Sequence, residues 1–156
     1  MVSPELIRRY PFFAFLDDAQ LRAVAMITEE VVAEPEEVLF REGTPADALY
    51  FLIDGGVELH YVVKDARSGA VQRDFLVGHV NPGEVLAISA LIEPYTLTTE
   101  ARTTTVCRLL RIEATGLRAL CELDTHLAHG MMREAARAAM ERLEHTRVEL
   151  VAARTT

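Results

Sequence analysis

The sequence is short of positive charge. Sixteen lysines and arginines stand against 24 aspartates and glutamates, for a net charge of −8. A surface with that balance repels nucleic acid, so direct DNA binding by this chain is not expected; a small anion held in a local pocket is still permitted. Cysteine is scarce too. Cys107 and Cys121 lack metal-ligand spacing and are expected to be reduced, partly buried thiols. No apolar run is long enough to span a bilayer, and the start, MVSPELIRRY, lacks the charged-then-apolar layout of a secretory signal. These absences predict a soluble, cytoplasmic protein with no membrane attachment. Catalytic signatures are missing as well: there is no Gly-x-Ser-x-Gly, no Walker loop and no His-Glu-x-x-His. His60 and His79 fall among strands but form no His-x-His pair, and His126, His129 and His145 fall on a helix. A metal-dependent β-barrel enzyme is therefore not expected. The expectation is no enzymatic activity, no metal and no cofactor.

What is present is a sizeable apolar fraction. Half of the 156 residues are hydrophobic, enough for one domain (residues 1–156) with a real core. The opening segment, PELIRRYPFFAFLDDAQLRAVAMITEE, has helical spacing: Leu21, Val24, Ala25 and Thr28 share a face. Pro4 and Pro11 stand where helices start, and Asp17 or Asp18 can cap the second helix. Near Val31 the character changes. EVLFREG, ALYFLIDGGVELHYVV and VQRDFLVGHV have the composition and length of strands. Asp54-Gly55-Gly56 reads as a hairpin turn, Gly43-Thr44-Pro45 as another turn, and 64–69 as a longer hairpin loop. Val57, Leu59, Tyr61 and Val63 should face one way, with Glu58 and His60 facing the other. The expected layout is N-terminal helices over 1–30, an antiparallel β-roll over 31–112 and C-terminal helices over 113–156.

The last helix should run from Thr125 to about Ala153. Met132, Ala136, Ala139, Leu143, Thr146 and Leu150 recur at spacings of four and three, which is the seam of a coiled coil. A homodimer through this seam is expected, because so long a helix outruns a small roll. Arg133, Arg137, Arg142 and Arg147, interleaved with Glu134, Glu141, Glu144 and Glu149, read as its solvated face.

One stretch looks like a phosphate cradle without its cation. In NPGEVLAISALIEPYTLTTEARTTT a Pro-Gly-Glu turn opens what reads as a short helix over 84–91, followed by a Thr-rich strand. From 83 through 101 it holds no arginine or lysine. Glu84 also has a reading that involves no ligand, since an acid in a helix's first turn stabilises the dipole.

In this order the pieces resemble the cyclic nucleotide-binding domain of the catabolite activator (Crp/Fnr) family, over nearly the whole chain. LIRRYPFFAFLDDAQLRAVA is similar to its N-terminal helices and EEVLFREGTPADALYFLIDGGVEL to its first roll strands. PGEVLAISAL is similar to its phosphate cassette (81–102 here) and CRLLRI to its last strand. The resemblance implies a mainly β fold with flanking helices, an antiparallel double-stranded β-helix or jelly-roll-like β-roll. It also implies a regulatory, ligand-sensing role signalled through the C-terminal helix, with a cyclic nucleotide or another small molecule as ligand. In the family, the cassette glutamate bonds the ribose 2′-hydroxyl, an arginine grips the phosphate and helix amides complete the cradle. Glu84 matches the glutamate, and Gly83, Val85 and Leu86 would supply amides. Counting back from CRLLRI puts Thr96 at the arginine's position, with Thr98 and Thr99 beside it; the alternative register, through RTTTV, makes Arg102 the phosphate ligand. Strand lengths favour Thr96. Two functions stay open: a sensor whose threonines and Glu84 line a pocket, or a degenerate module, its pocket filled by Leu91, Ile92, Tyr95 and Leu97, that acts by protein contact. The family's winged helix-turn-helix has no counterpart in this sequence, which ends at Thr156.

Overall fold

The computed structural model describes residues 1–155. Local signals start its helices. Helix α1 (Pro4–Arg8) is capped by the Ser3 hydroxyl and has proline in its first turn, and Pro11 opens a 3₁₀ turn, Pro11–Phe13. Helix α2 (Asp18–Met26) begins with a full capping box on Asp17: the Gln20 amide donates to Asp17 Oδ1 at 2.8 Å, and the Asp17 amide donates to Gln20 Oε1 at 2.9 Å. Leu21, Val24 and Ala25 are buried as expected. Thr28 is not part of that helix. It opens strand β1 (Thr28–Ala33), and its hydroxyl donates to the Val24 carbonyl at 2.7 Å, closing the end of α2. The strands therefore begin three residues before Val31.

Among the described residues eight strands form two four-stranded antiparallel sheets. One has the order β1-β8-β3-β6, with β8 Cys107–Glu113, β3 Ala48–Asp54 and β6 Val85–Leu86. The other has the order β2-β7-β4-β5, with β2 Val38–Phe40, β7 Glu100–Thr103, β4 Val57–Lys64 and β5 Val71–Val80. This is the expected β-roll, with one correction. Asp54-Gly55-Gly56 is not a hairpin, because β3 and β4 lie in different sheets. The turn carries the chain from one sheet to the other. Gly55 sits at φ +106°, and a Cβ there would meet Cys107 Sγ and the Val106 carbonyl at 2.6 Å, so the crossing depends on glycine. The longer hairpin expected at 64–69 is present, between β4 and β5. In its loop Asp65 accepts from the amides of Arg67 (2.6 Å) and Ser68 (3.1 Å), and these bonds hold its carboxyl below the usual range. The alternation in β4 holds at Val57 and Leu59, which are buried. It fails at Tyr61, 47% exposed, beyond a register shift between Leu59 and His60.

Helices α3 (Ala114–Leu123) and α4 (Thr125–Arg154) follow. Asp124 caps α4 through a 3.0 Å bond from the Leu127 amide and also accepts from Gln20 Nε2 at 2.9 Å, so α2 and α4 are tied at one residue. The core joins Ile7, Phe13 and Leu21 to Leu49, Phe51, Leu110 and Ile112, and then to Leu117, Leu127 and Met131. On α4 the residues turned to the body are Leu127, Gly130, Met131, Ala135 and, half-buried, Ala138, the three- and four-residue spacing of one helix face. At Gly130 the contact is closest: a Cβ would lie 2.1 Å from Phe15 Cδ2. No helix among the described residues is long and apolar enough to cross a membrane.

Gly130→Ala should therefore be destabilising. Alanine gains roughly 1 kcal/mol of helix propensity, but overpacking against a ring costs roughly 1–3 kcal/mol. A net loss of about 1 kcal/mol in a urea melt is expected; a more stable variant would show that Phe15 swings aside freely.

Candidate functional site

The cassette begins on a turn that Glu84 itself closes. The Glu84 amide donates to the Asn81 carbonyl at 3.1 Å, and Glu84 Oε1 accepts from the Asn81 amide at 2.6 Å. The Gly83 amide donates to the Leu52 carbonyl at 2.8 Å, and Leu52 returns a 3.0 Å bond to the Glu84 carbonyl. Val85 and Leu86 then pair with Phe51 and Tyr50 of β3. The expected helix over 84–91 is thus a two-residue strand followed by a four-residue 3₁₀ turn, Ile88–Leu91. The reason is burial: Val85 and Leu86 are 1% and 0% exposed, and as the sheet's last strand they satisfy their backbone against β3. Glu84 does not sit in a helix's first turn, so the dipole reading falls.

Gly83, Glu84 and Val85 form one wall of a cavity of ≈190 Å³, together with His79, Pro11 and Phe12. The opposite wall is α4, through Glu134, Arg137, Ala138, Glu141, Arg142 and His145. Leu86 lies behind, in the core. Arg142, expected on a solvated face, is turned inward. Its Nη2 donates to the Val85 carbonyl at 3.1 Å. Burial pushes its guanidinium down from its ordinary value, and the charge of Glu84 pushes the other way. Glu134 pairs with Arg137 at 3.1 Å and with Arg133 at 4.0 Å, whereas Arg142 makes no ion pair within 4.0 Å among the described residues.

The other residues expected at the site lie elsewhere. Thr96 is exposed, bridges Pro45 through its backbone and donates from its hydroxyl to the Pro94 carbonyl at 3.4 Å. Its neighbour Leu97 points into the core, 5% exposed. Thr98 is exposed and Thr99 half-buried, and neither lines the cavity. Arg102 stands on the outer face of β7, because Ala101 and Thr103 on either side are buried. Its Nη1 lies 2.7 Å from Asp74 Oδ2 and its Nε donates to Glu100 Oε2 at 2.6 Å. Burial lowers this guanidinium, but Asp74 and Glu100 outweigh it and raise it. Arg102 in turn holds the Asp74 carboxyl below the usual range, with a smaller contribution from His60, whose Nδ1 is 2.8 Å away. Neither register's residue lines the cavity, and the cation beside Glu84 comes from α4, 58 residues further along the chain (84 to 142).

Of the residues named for the degenerate reading, Leu91 and Leu97 are buried, whereas Ile92 is 51% exposed. Tyr95 lies under Arg118, whose guanidinium carbon is 3.8 Å from the ring centroid. Along α4, Met132, Leu143 and Leu150 are 40%, 50% and 51% exposed, and Ala136 and Ala139 are exposed with them. Cys107 is buried and Cys121 half-buried; burial, then the charge of Asp124, pushes the Cys121 thiol up. Among the described residues no His, Cys, Asp and Glu converge as a metal site.

Comparison with known proteins bears on the family and the fold. The model of the cyclic nucleotide-binding domain matches residues 30–124. Cyclic nucleotide-gated ion channel 18 of Arabidopsis thaliana is 32% identical over 114 residues, 73% of this chain. The chain spans only 16% of that relative's length. Among solved structures, a protein of Geobacter metallireducens assigned as a cyclic nucleotide-binding protein is 38% identical with a TM-score of 0.79, over 92% of this chain and 99% of the other. The N-terminal domain of a transcriptional regulator from Streptomyces coelicolor is 29% identical with a TM-score of 0.64, over 93% and 94%.

The outer-face pairing gives a pH test. Asp74 has a depressed folded-state pKa, so its contribution to stability is present above about pH 4 and is lost as pH falls through the depressed value. Arg102→Met should lower the melting temperature at pH 7, and the gap to wild type should close as the pH drops below about 4. A gap independent of pH would show that packing of the arginine stem, not the Asp74 pair, carries the effect.

Proposed function

The chain belongs to the cyclic nucleotide-binding domain family, and on that premise we propose that it is a non-catalytic regulatory module. A small molecule enters the cavity between residues 83–85 and α4, and the helix passes the signal on. The observation that carries this reading is the double wall. One side is the cassette and the other is α4, so an occupant that touches both has different affinity for different seatings of the helix, which is what coupling requires. Cyclic AMP and cyclic GMP are the first ligands to try. Their affinity should be weak, because no cassette arginine backs Glu84. A hydrogen bond to a charged group contributes about 1.5–3 kcal/mol, so its loss weakens binding by roughly one to two orders of magnitude. Amide hydrogen exchange with millimolar cyclic AMP tests the reading. Joint slowing at 83–86 and 134–145 is the expected result. No slowing with either nucleotide, together with no heat in titration calorimetry, would favour the second reading.

That second reading is a degenerate module that keeps the fold and acts by protein contact. The burial of Leu91 and Leu97, which join the core with Leu49 and Phe51, speaks for it. Both readings share the exposed seam on α4. Its apolar positions at 132, 136, 139, 143 and 150 are turned away from the chain's own core, which supports a homodimer built by pairing two such helices. Light scattering should give twice the chain's 17.4 kDa. Leu143→Glu should return the monomer, because a seam carboxylate loses its water without a partner. A wild-type monomer, or a variant that dimerises equally well, would end the dimer proposal.

A further inference from the structure

Arg142 occupies a place that an apolar residue would normally take. The inward face of α4 runs Leu127, Met131, Ala135, Ala138 at steps of four, four and three, and the next step of four is Arg142. A guanidinium carries five N–H donors, and the structure gives this one a single acceptor, the Val85 carbonyl at 3.1 Å. It has no ion pair within 4.0 Å among the described residues. A charge taken from water without a partner is costly. Glu84 lies nearby as a charge, yet it is engaged by the Asn81 amide and makes no hydrogen bond to Arg142.

We propose that Arg142 is the anion anchor of this cavity, taking from α4 the role that the cassette between 83 and 101 cannot fill, and that the occupant is a small hydroxyl-bearing phosphate of the sugar-phosphate class. The proposal rests on the sensing reading above. Three features select the class. The donor fork matches the oxygens of a phosphate. Glu84 is acceptor-only when ionised and so accepts hydroxyls, which places the sugar on its side and the phosphate on the Arg142 side, away from the carboxylate. The ≈190 Å³ volume lies below the ~300–1,000 Å³ of pockets for drug-sized ligands, which suits a sugar phosphate better than a whole nucleotide. The remaining cavity charges do not oppose this. Glu134 is neutralised by Arg137 at 3.1 Å, Glu141 is exposed, and His79 and His145 can donate to an anion in either protonation state.

The test is titration calorimetry of the wild-type chain with ribose 5-phosphate, inorganic phosphate, ribose and adenosine, repeated on Arg142→Met, Arg142→Lys and Arg102→Met. Ribose 5-phosphate should bind, inorganic phosphate more weakly and ribose not detectably. Arg142→Met should weaken ribose 5-phosphate by roughly 10- to 100-fold; Arg142→Lys should recover part of that, and Arg102→Met should match wild type. Without ligand, Arg142→Met should melt at the same temperature or higher, because it removes a half-buried charge that has no ion-pair partner among the described residues. Unchanged affinity in Arg142→Met, or a lower ligand-free melting temperature with no change in affinity, would make Arg142 a strut and overturn the proposal. Wild-type protein that takes ribose or adenosine as tightly as the phosphate would reject the anchor while leaving the sensing reading intact. Wild-type protein that binds none of these probes, nor cyclic AMP, would reject both.

Discussion

The seating of α4 against the body of the protein is the contact on which the site depends. It is set where the helix has no side chain: Gly130 lies against the ring of Phe15, closer than any Cβ would permit. The Asp124 cap fixes the start of the helix, and Gln20 of α2 holds that cap in place. From Gly130 to Arg142 is about 18 Å at 1.5 Å per residue. Over that span the inward face carries Met131, Ala135 and Ala138 and then delivers a guanidinium to the Val85 carbonyl. Small residues bring the helix in, and what arrives at its far end is a charge.

The molecule treats its arginines in two ways. On the outer face of the second sheet Arg102 is enclosed by Asp74 and Glu100, with His60 completing the group. Arg108 is similarly held, donating from Nε to Glu30 at 2.9 Å and from Nη1 to Asp54 at 3.2 Å. These pairs are half-exposed, screened by water, and contribute little individually. Arg142 is the opposite case, more deeply buried and unmatched by a carboxylate. The contrast is informative because the chain as a whole has acids to spare.

Much of the fold was legible in the sequence because its signals are local. Prolines at helix starts, the Asp17 cap, the polar loop before Gly69 and the uninterrupted run after Thr125 each act over a few residues, and each lies where expected. Asp54-Gly55-Gly56 shows where that logic stops: a turn's φ preference says the chain reverses, not which strand it will pair with. The 84–91 segment misled for a related reason, since Val85 and Leu86 are apolar enough for either state and β3 decided between them. The site was less legible. Thr96 and Arg102 were placed by counting along the chain, but facing is set by strand pairing, and both turned outward. Arg142 was hidden among alternating arginines and glutamates. Its signal was nevertheless present, because extending the spacing of Leu127, Met131, Ala135 and Ala138 by one step reaches it.

Arg118 has a mechanical consequence. From α3 it donates to the Ala90 carbonyl at 2.8 Å and to the Ala46 carbonyl at 3.0 Å, and it covers the ring of Tyr95. The turn after the cassette strand is therefore geared to α3, and α3 ends at Asp124, where α4 begins. Helix α4 has 30 residues, about 45 Å of rigid rod. Pivoting it by about 5° at Asp124 would move its far end by roughly 4 Å. A tilt that small at the joint between α3 and α4 is thus as large as a side chain at the end of the rod.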